Sequence, residues 1–468
     1  MENNYFYLKP YKILEKSYDV IVIGGGTAGS AAAIASAMEG ARTLIVERNS
    51  YLGGTASGGQ VTPMMYNGID GRAGHSYLNE VVKKKMAEDG YSADDKYGND
   101  GWFNPEMMKF TLENIFTDYN GEILYNTELI DTVVEDNKIK GILVHNKSGL
   151  QFISGNIFID CTGDADAAFC SGVPCFTGDE IYHNNQAMSL RFMAGNIDIA
   201  KLKCFLHEIG EPDILEYPLV EIASVWGHVT PLNHVFQKAF DNNDIEYDDG
   251  KYFQAFSVPG MPGVMSFNCP EIPDIRDSLN TASVSMALMT GRKMIKRLHS
   301  FLKSYIPGFE GSFIMSVAEM PGIRESRRIK GKYVLSEKDY ADRAKFDDSI
   351  ARTAYPIDIH GHSDDNKPDT TSDIKPDIKL DIKPMERGEY FEIPYRCLVT
   401  EEIQNLLVAG RCISSTFIAQ SSIRIQPTCR AMGEAAGIAA SYCIKNNMKA
   451  NGLDGRIIGA IMMECIQE

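Results

Sequence analysis

The apolar positions of this chain form short runs that end at glycines, and the first of these runs is the most regular. Residues 20–23 are an uninterrupted stretch of valine and isoleucine, which is typical of a strand buried on both faces of a sheet. Residues 27–39 are rich in alanine, which favours a helix, and residues 42–47 are largely apolar again. The pattern predicts a strand, a glycine turn, a helix and a second strand, in that order.

The turn between the first strand and the helix carries glycines at three spaced positions. Gly24 permits a tight turn, Gly26 lets a pyrophosphate approach the backbone, and Gly29 lets the helix pack closely on the strand. The helix start presents free N–H groups and its positive dipole end to phosphates. Glu47 follows Gly29 by 18 residues, close to the spacing of about 20 for an acid that binds the cofactor ribose. The segment therefore predicts a dinucleotide-binding unit.

Similar segments follow along the chain. Helices are predicted around 74–85 and 105–119, strands at 122–126, 129–134 and 138–144, and a strand from 155 that ends in a glycine turn at 163. Near the end of the sequence, residues 405–410 are again an apolar strand that meets a glycine, and residues 427–440 are a small-residue helix with proline near its start. Both ends of the chain are therefore expected to build one nucleotide-binding domain, residues 1–172 and 390–468.

Residues 173–389 have a different character, with sparse motifs and more frequent aromatic residues and methionines. Helical patterns occur around 198–210 and 278–305. We interpret this stretch as an inserted substrate domain. Its last part, 363–387, contains a short repeat of alternating charges with prolines, which predicts an exposed, extended loop.

Size and charge limit the classes of protein that fit. The chain has 468 residues, more than the roughly 250–300 at which one core stops growing, so two lobes are expected. A net charge of −17 argues against a nucleic-acid partner. The 10 cysteines include no CxxC pair and no zinc spacing, so we expect reduced thiols and no metal site. With no secretion signal and no apolar stretch of spanning length, we expect a cytoplasmic protein without a membrane partner.

Motifs spread over most of the chain resemble one flavoprotein family. They are the opening unit at 20–47 and the segments 52–56, 161–165, 322–331, 355–360, 393–396, 407–414 and 427–429. The chain resembles the microbial FAD-dependent oxidoreductases, which are related to the flavin subunit of heterodisulfide reductase and have a FAD domain of the glutathione-reductase or p-hydroxybenzoate-hydroxylase type. The resemblance implies an α/β fold: a discontinuous Rossmann-like FAD-binding domain with an inserted α+β substrate domain.

The resemblance also implies a set of contacts to FAD. It assigns Glu47 to the adenosine ribose and the helix that begins near Pro427 to the flavin, where the helix dipole would stabilise the anionic reduced ring. Arg411 stands where many relatives in the wider superfamily carry an aspartate, and an arginine there is suited to pair with the pyrophosphate. The residues implied to bind FAD are Gly24, Gly26, Thr27, Ala28, Gly29, Glu47, Arg48, Gly53, Gly54, Thr55, Val134, Thr162, Gly163, Asp164, Gly410, Arg411, Gln426 and Thr428.

Three residues are candidates for the catalytic chemistry. Arg324 and Glu325 lie in a short arginine-rich stretch, which indicates either a carboxylate-binding cluster facing the flavin or a structural ion pair. His360 ends one of the family-like segments, and a histidine near a flavin can exchange a proton with the substrate. The alternative for His360 is a place in a surface loop.

These patterns lead to three hypotheses. The first is an FAD-dependent oxidoreductase that transfers a hydride between flavin N5 and a small organic substrate bearing a carboxylate or carbonyl. The second is an NAD(P)-dependent dehydrogenase that uses the same first motif, and the third is a nonredox protein that binds FAD. A homodimer is expected only because symmetric dimers are common.

Overall fold

The structure of the protein is a computed structural model that describes residues 12–64, 69, 76–93, 101–211, 215, 218–225, 230–360 and 382–467. Of the predicted exposed loop 363–387, residues 363–381 lie outside the described residues. The strands are β1 (Lys12–Ile23), β2 (Thr43–Val46), β3 (Glu122–Leu124), β4 (Glu128–Glu135), β5 (Lys138–Asn146), β6 (Gly149–Asp160), β7 (Cys175–Thr177), β8 (Phe192–Gly195), β9 (Glu221–Val225), β10 (Tyr252–Ser257), β11 (Met265–Phe267), β12 (Phe313–Val317), β13 (Arg327–Ile329), β14 (Ser349–Thr353), β15 (Phe391–Pro394) and β16 (Leu406–Val408).

The α-helices agree with the predicted ones to within a few residues, and several short helices add to them. They are α1 (Thr27–Met38), α2 (Tyr77–Glu88), α3 (Pro105–Asp118), α4 (Asp166–Cys170), α5 (Ile199–Glu208), α6 (Asn233–Asp241), α7 (Tyr247–Gly250), α8 (Thr281–Tyr305), α9 (Glu337–Ala341), α10 (Phe417–Ile423), α11 (Gln426–Lys445) and α12 (Gly455–Gln467).

The main sheet has the strand order β3-β2-β1-β6-β5-β4. Strands β1, β2, β3 and β6 pair in parallel, β16 joins the far edge of β6 in parallel, and β4 and β5 extend the sheet as an antiparallel hairpin. Val20 and Val22 face the core that contains α1 and α11, whereas Ile21 and Ile23 face the opposite core. The first strand is therefore buried on both faces, as its unbroken apolar run predicted.

A second, antiparallel sheet has the order β12-β8-β11-β10-β9. Its apolar side chains form a separate core with α8, made of residues between 188 and 318. Residues 335–351 fall within the predicted inserted domain, but their buried apolar side chains belong to the core of the main sheet. The second core therefore contains residues from a shorter stretch than the predicted domain, 173–389. Strand β14 pairs with β15, and both contribute to the first core.

Helix α11 from the end of the chain packs tightly on α1 from its beginning. A side-chain carbon at Gly433 or Gly437 would overlap the carbonyl oxygen of Ala28 or Ala32 in α1. These glycines let the two backbones approach closely, which places the start of α11 beside the glycine turn. The two ends of the chain thus form one structural unit.

Because these two helices touch through glycines, adding a side-chain carbon at the contact should destabilise the protein. Gly437→Ala should lower the free energy of unfolding by about 1–3 kcal/mol, since the new carbon meets rigid backbone. Urea unfolding of the apoprotein measures this effect. Gly452→Ala is the control, because its nearest neighbour would lie 3.9 Å away, and we expect a change below about 0.5 kcal/mol. Equal stability of G437A and the unmodified protein would contradict the packing described here.

Candidate functional site

The glycine turn after β1 is shaped by backbone contacts. Gly24 has φ of +91°, and a Cβ there would lie 2.6 Å from the carbonyl oxygen of Cys161. A Cβ at Gly29 would overlap the carbonyl oxygen of Gly24. At Gly26, by contrast, a Cβ would meet no protein atom within 4 Å. Two of the glycines are therefore required by the fold itself, while the third faces open space in front of helix α1.

Two cavities meet at this open space. The small cavity, of about 110 Å³, lies at the ends of β1 and β2, and the large cavity, of about 300 Å³, lies between the two cores. They share Gly26, Gly54, Cys161, Thr162 and Met320. The predicted cofactor residues that line one or both cavities are Gly24, Gly26, Thr27, Ala28, Glu47, Arg48, Gly54, Thr55, Thr162, Gly163, Gly410, Arg411 and Gln426.

Five predicted cofactor residues do not line either cavity, namely Gly29, Gly53, Val134, Asp164 and Thr428. Gly29 supports the turn, Gly53 pairs with Gly26 in an isolated bridge, and Asp164 pairs with Arg411. Thr428 is fully buried within the first turn of α11.

The position of β4 argues against the contact between Val134 and FAD that the resemblance implies. Its first residues, Glu128 and Leu129, line the small cavity together with Thr127. The backbone N–H of Thr127 donates to the carbonyl oxygen of Glu47 at 3.0 Å, which fixes the beginning of this strand at the end of β2. Val134 lies six residues farther along β4, roughly 20 Å away at the rise of an extended strand.

Glu47 is buried at the small cavity and organises the loops around it. Its Oε2 accepts from the backbone N–H of Gly25 at 2.6 Å, and its Oε1 accepts from the backbone and side-chain nitrogens of Asn49, each at 2.7 Å. A carboxylate has several lone pairs, so these bonds leave acceptor capacity on the cavity side. The geometry suits the predicted ribose contact.

Glu47→Gln should therefore weaken FAD binding about tenfold or more. The amide would turn an NH₂ group toward an N–H donor, and an unmet buried hydrogen bond costs about 1–3 kcal/mol. Fluorescence titration of the apoprotein with FAD gives the dissociation constant. Glu39→Gln, at the exposed end of α1 where it pairs with Lys445, should leave the constant unchanged. An unaltered dissociation constant in E47Q would remove Glu47 from the cofactor site.

Arg411 lines the large cavity, but its guanidinium is already bonded to protein. Nη2 pairs with Asp164 Oδ1 at 2.7 Å, Nε donates to the carbonyl oxygen of Gly163 at 2.8 Å, and Nη1 donates to that of Ile323. The side chain therefore holds together the two glycine-turn loops. The geometry favours this positioning role over the predicted pairing with a pyrophosphate.

Glu325 does not line either cavity, so the structure argues against its prediction as a catalytic residue. It is fully buried, forms an ion pair with Arg328, accepts from Asn185 Nδ2 at 2.6 Å and from the backbone N–H of Gly178 at 3.1 Å. Here the alternative that the sequence left open, a structural ion pair, describes the geometry. Arg324, its neighbour in sequence, points the other way and lines the large cavity.

His360 lines the large cavity between two carboxylates. Its Nδ1 lies 2.7 Å from Glu271 Oε2, and its Nε2 lies 3.1 Å from Asp358 Oδ1. The ring packs edge-on against Tyr252 at 5.8 Å. A neutral imidazole has one donor and one acceptor nitrogen, whereas the protonated ring donates from both. Two carboxylate partners therefore favour the imidazolium form.

His360, Glu271 and Asp358 form a triad whose charges stabilise one another. Burial and the charge of Arg324 act to lower the pKa of His360, but Asp358 and Glu271 outweigh them and raise it above its ordinary value. Burial alone would raise the pKa of Glu271, yet the hydrogen bond from His360 and the charge of Arg324 lower it to about 2. The pKa of Asp358 is likewise lowered, against the effect of burial, by the charge and hydrogen bond of His360. Within the triad the proton therefore resides on His360 rather than on either carboxylate.

Three arginines surround this triad. Arg324 Nη1 donates to the carbonyl oxygen of Ala187 at 2.6 Å, and its Nη2 lies 3.6 Å from Glu271. Arg424 Nη2 pairs with Asp358 Oδ2 at 3.1 Å. Arg191 lines the same cavity and is 6% exposed. The large cavity is therefore cationic where the two cores meet.

Sequence reasoning did not select several of these residues. Asp358 lies inside the family-like segment 355–360, but nothing in that segment singles it out. Arg424 lies just before the helix predicted to face the flavin, and a charged residue at that place was a usable signal. Arg191 and Glu271 lie in the inserted region, where no motif marks them.

The residues present fit an extended dinucleotide. The open space at Gly26 lies at the start of α1, where N–H groups are free to bind a pyrophosphate. At the start of α11, Gln426 lines the large cavity, and its Oε1 is buried without a hydrogen-bond partner in the part of the chain that the structure describes. Buried polar atoms normally have partners, so this oxygen indicates where a ligand completes the site.

Comparison with known proteins gives the class of this one. Residues 19–462 match the model of the family described as FAD dependent oxidoreductase, and the chain belongs to that family. Its cofactor is accordingly FAD, which confirms the first expectation for the dinucleotide site and sets aside the nicotinamide alternative there.

Two curated relatives share part of the chain. The tRNA uridine 5-carboxymethylaminomethyl modification enzyme MnmG of Clostridium botulinum (strain Okra / Type B1) is 32% identical over 32% of this chain and 25% of its own length. The thiamine thiazole synthase of Methanococcus maripaludis (strain C5 / ATCC BAA-1333) is 29% identical over 32% of this chain and 58% of its own length. The chain thus spans about a quarter of the MnmG relative that it matches.

Two solved structures are similar to this chain at low sequence identity. The p-nitrophenol 4-monooxygenase PnpA from Pseudomonas putida DLL-E4 has a TM-score of 0.47 and 10% identity, covering 96% of this chain and 84% of that one. The L-proline dehydrogenase from P. horikoshii has a TM-score of 0.43 and 12% identity, covering 93% of this chain and 95% of that one.

Among the described residues, no helix has the length and apolar character needed to cross a membrane.

Proposed function

We propose that this chain catalyses the oxidation or reduction of a small organic substrate in the large cavity. FAD, when bound, supplies the hydride acceptor or donor at its flavin N5. The observation that carries the proposal is that His360, a group able to hold a proton, lines the same cavity as the glycine turn. A protein that only binds the cofactor would not require a protonated histidine that is hydrogen-bonded to two carboxylates.

The chain's own residues divide into three tasks. Glu47 and the N–H groups at the start of α1 would hold the adenosine and pyrophosphate parts of FAD. The arginines beside the triad would bind and orient the substrate. His360 would hold the proton that accompanies the hydride, with its Nε2 on the side of Asp358 and its Nδ1 on the side of Glu271.

The protonation of His360 makes the direction of the reaction depend on pH. A substrate that gains a hydride must also gain a proton, and the imidazolium can give one. A substrate that loses a hydride must release a proton, which His360 can take only after it has been deprotonated. Reduction of the substrate is therefore favoured at lower pH and oxidation at higher pH.

Anaerobic spectroscopy of the purified, FAD-loaded protein tests the proposal. A panel of small organic acids, alcohols and amines should contain compounds that bleach the flavin band, or unsaturated and carbonyl compounds that restore it after chemical reduction. If no compound exchanges electrons with the bound flavin in either direction, the alternative of a nonredox FAD-binding protein is preferred.

A further inference from the structure

Arg191 is a buried cation that has no carboxylate partner among the described residues. It directly precedes β8 and lines the large cavity. Its Nη1 donates to the carbonyl oxygen of Gln60 at 3.1 Å. Within the described residues, no aspartate or glutamate oxygen lies within 4 Å of its guanidinium, which carries five N–H donors. A buried charge normally has a counterion, so this side chain indicates a missing anion.

The surroundings of Arg191 increase the excess of positive charge. Burial lowers the pKa of Arg191 to about 10, and the nearby charge of Arg324 adds to this decrease. Arg424 Nε is buried and has no hydrogen-bond partner among the residues described. The two carboxylates of the triad, Glu271 and Asp358, are both bonded to His360. Four cationic groups therefore share two carboxylates.

We infer that the substrate is an organic carboxylate and that Arg191 pairs with its carboxylate group, with Arg424 as a second donor. This inference rests on the proposed function, because it names the substrate class of the same cavity. The planar guanidinium matches a carboxylate in a two-pronged hydrogen-bonded pair, and such charge-assisted pairs are strong in a buried site. A neutral substrate would leave the guanidinium of Arg191 unpaired.

The inference is tested by anion binding to the FAD-loaded protein and to its Arg191→Met variant. Malonate and acetate are the probes, and acetamide is their neutral counterpart. Both carboxylates should raise the melting temperature and perturb the visible flavin spectrum of the unmodified protein, whereas acetamide should do neither. In R191M the dissociation constant for malonate should rise about 10- to 100-fold, the effect of losing one charged hydrogen-bonded pair.

The stability of R191M without ligand separates a binding role from a structural one. Removing an unpaired buried charge should leave the melting temperature unchanged or raise it, since the carbonyl oxygen of Gln60 keeps a bond from Ser266 at 3.3 Å. The control is Arg297→Met in the same lobe. Arg297 pairs with the buried Asp249 at 2.7 Å, so R297M should melt at a lower temperature and keep its response to malonate. Arg191→Lys, which keeps the charge, should bind malonate with intermediate affinity.

Two outcomes overturn the inference: equal malonate binding by R191M and the unmodified protein, or an equal response to acetamide and acetate. The proposed function fails separately. If carboxylates bind through Arg191 but none exchanges electrons with the flavin, the anion site stands and the redox assignment falls. If the unmodified protein and R191M turn over neutral compounds equally well, the redox assignment stands and the carboxylate site falls.

Discussion

Replacement of His360 by glutamine is expected to lower the rate of flavin reduction by a bound substrate roughly 100- to 10,000-fold, the usual contribution of a positioned acid or base. Glutamine can still hydrogen-bond to Glu271, but it cannot carry the proton that His360 holds. Anaerobic stopped-flow mixing of the FAD-loaded enzyme with a bleaching substrate measures this step directly. The dissociation constant for FAD is the internal control and should change little, because His360 makes none of the contacts assigned to the adenosine and pyrophosphate parts of FAD.

The pH dependence of the same step has a defined sign. Since the pKa of His360 is raised, the ring stays protonated beyond its ordinary value of about 6.5. Substrate oxidation should accelerate as pH rises through the raised pKa, whereas substrate reduction should slow. The stability that the raised pKa of His360 contributes should be complete below about pH 6.5 and be lost as pH rises through the raised pKa. In H360Q both dependences should be absent.

Glu271→Gln distinguishes a positioning residue from the proton carrier. Glu271 is bonded to His360 Nδ1 and contributes to the raised pKa of the ring. The variant should keep a substantial rate but shift the pH profile toward lower pH, because one of the two stabilising carboxylates has been neutralised. A profile that is the same in E271Q, H360Q and the unmodified enzyme would show that His360 does not titrate in the reaction.

The first domain could be predicted closely because its signals are local. The run of apolar residues in β1, the glycines of the turn and the alanines of α1 each have a physical reason within a few positions. The start of α11 was also predictable, since Pro427 favours the first turn of a helix. What could not be foreseen is that α11 lies against α1 through glycines, because that contact joins residues about 400 positions apart.

The substrate side of the site is a different case. Arg191, Glu271, His360 and Arg424 come from separate segments, and their meeting depends on how the antiparallel sheet is set on the first domain. Glu325 illustrates the same limit in the other direction. Its arginine-rich surroundings suggested chemistry, but the antiparallel pairing of β13 with β7 turns it into the interior. Composition of a short stretch does not tell which side chain faces a cavity.

Gly26→Ala is expected to weaken FAD binding about 100-fold or more without lowering the stability of the apoprotein. A Cβ at this position meets no protein atom within 4 Å, and the residue has an ordinary φ of −67°. The fold therefore accepts alanine. The added methyl group would occupy the space through which a pyrophosphate approaches the start of α1, and it would block that approach.

Gly29→Ala is the matched comparison, since it is the same change three residues away. Its Cβ would overlap the carbonyl oxygen of Gly24, whose own position is fixed by contact with Cys161. G29A should thus lose stability and FAD binding together, whereas G26A should lose binding alone. Urea unfolding of both apoproteins and fluorescence titration with FAD separate the two effects. Retained FAD binding in G26A would mean that the open space at the turn belongs to solvent, and the cofactor would have to be placed elsewhere.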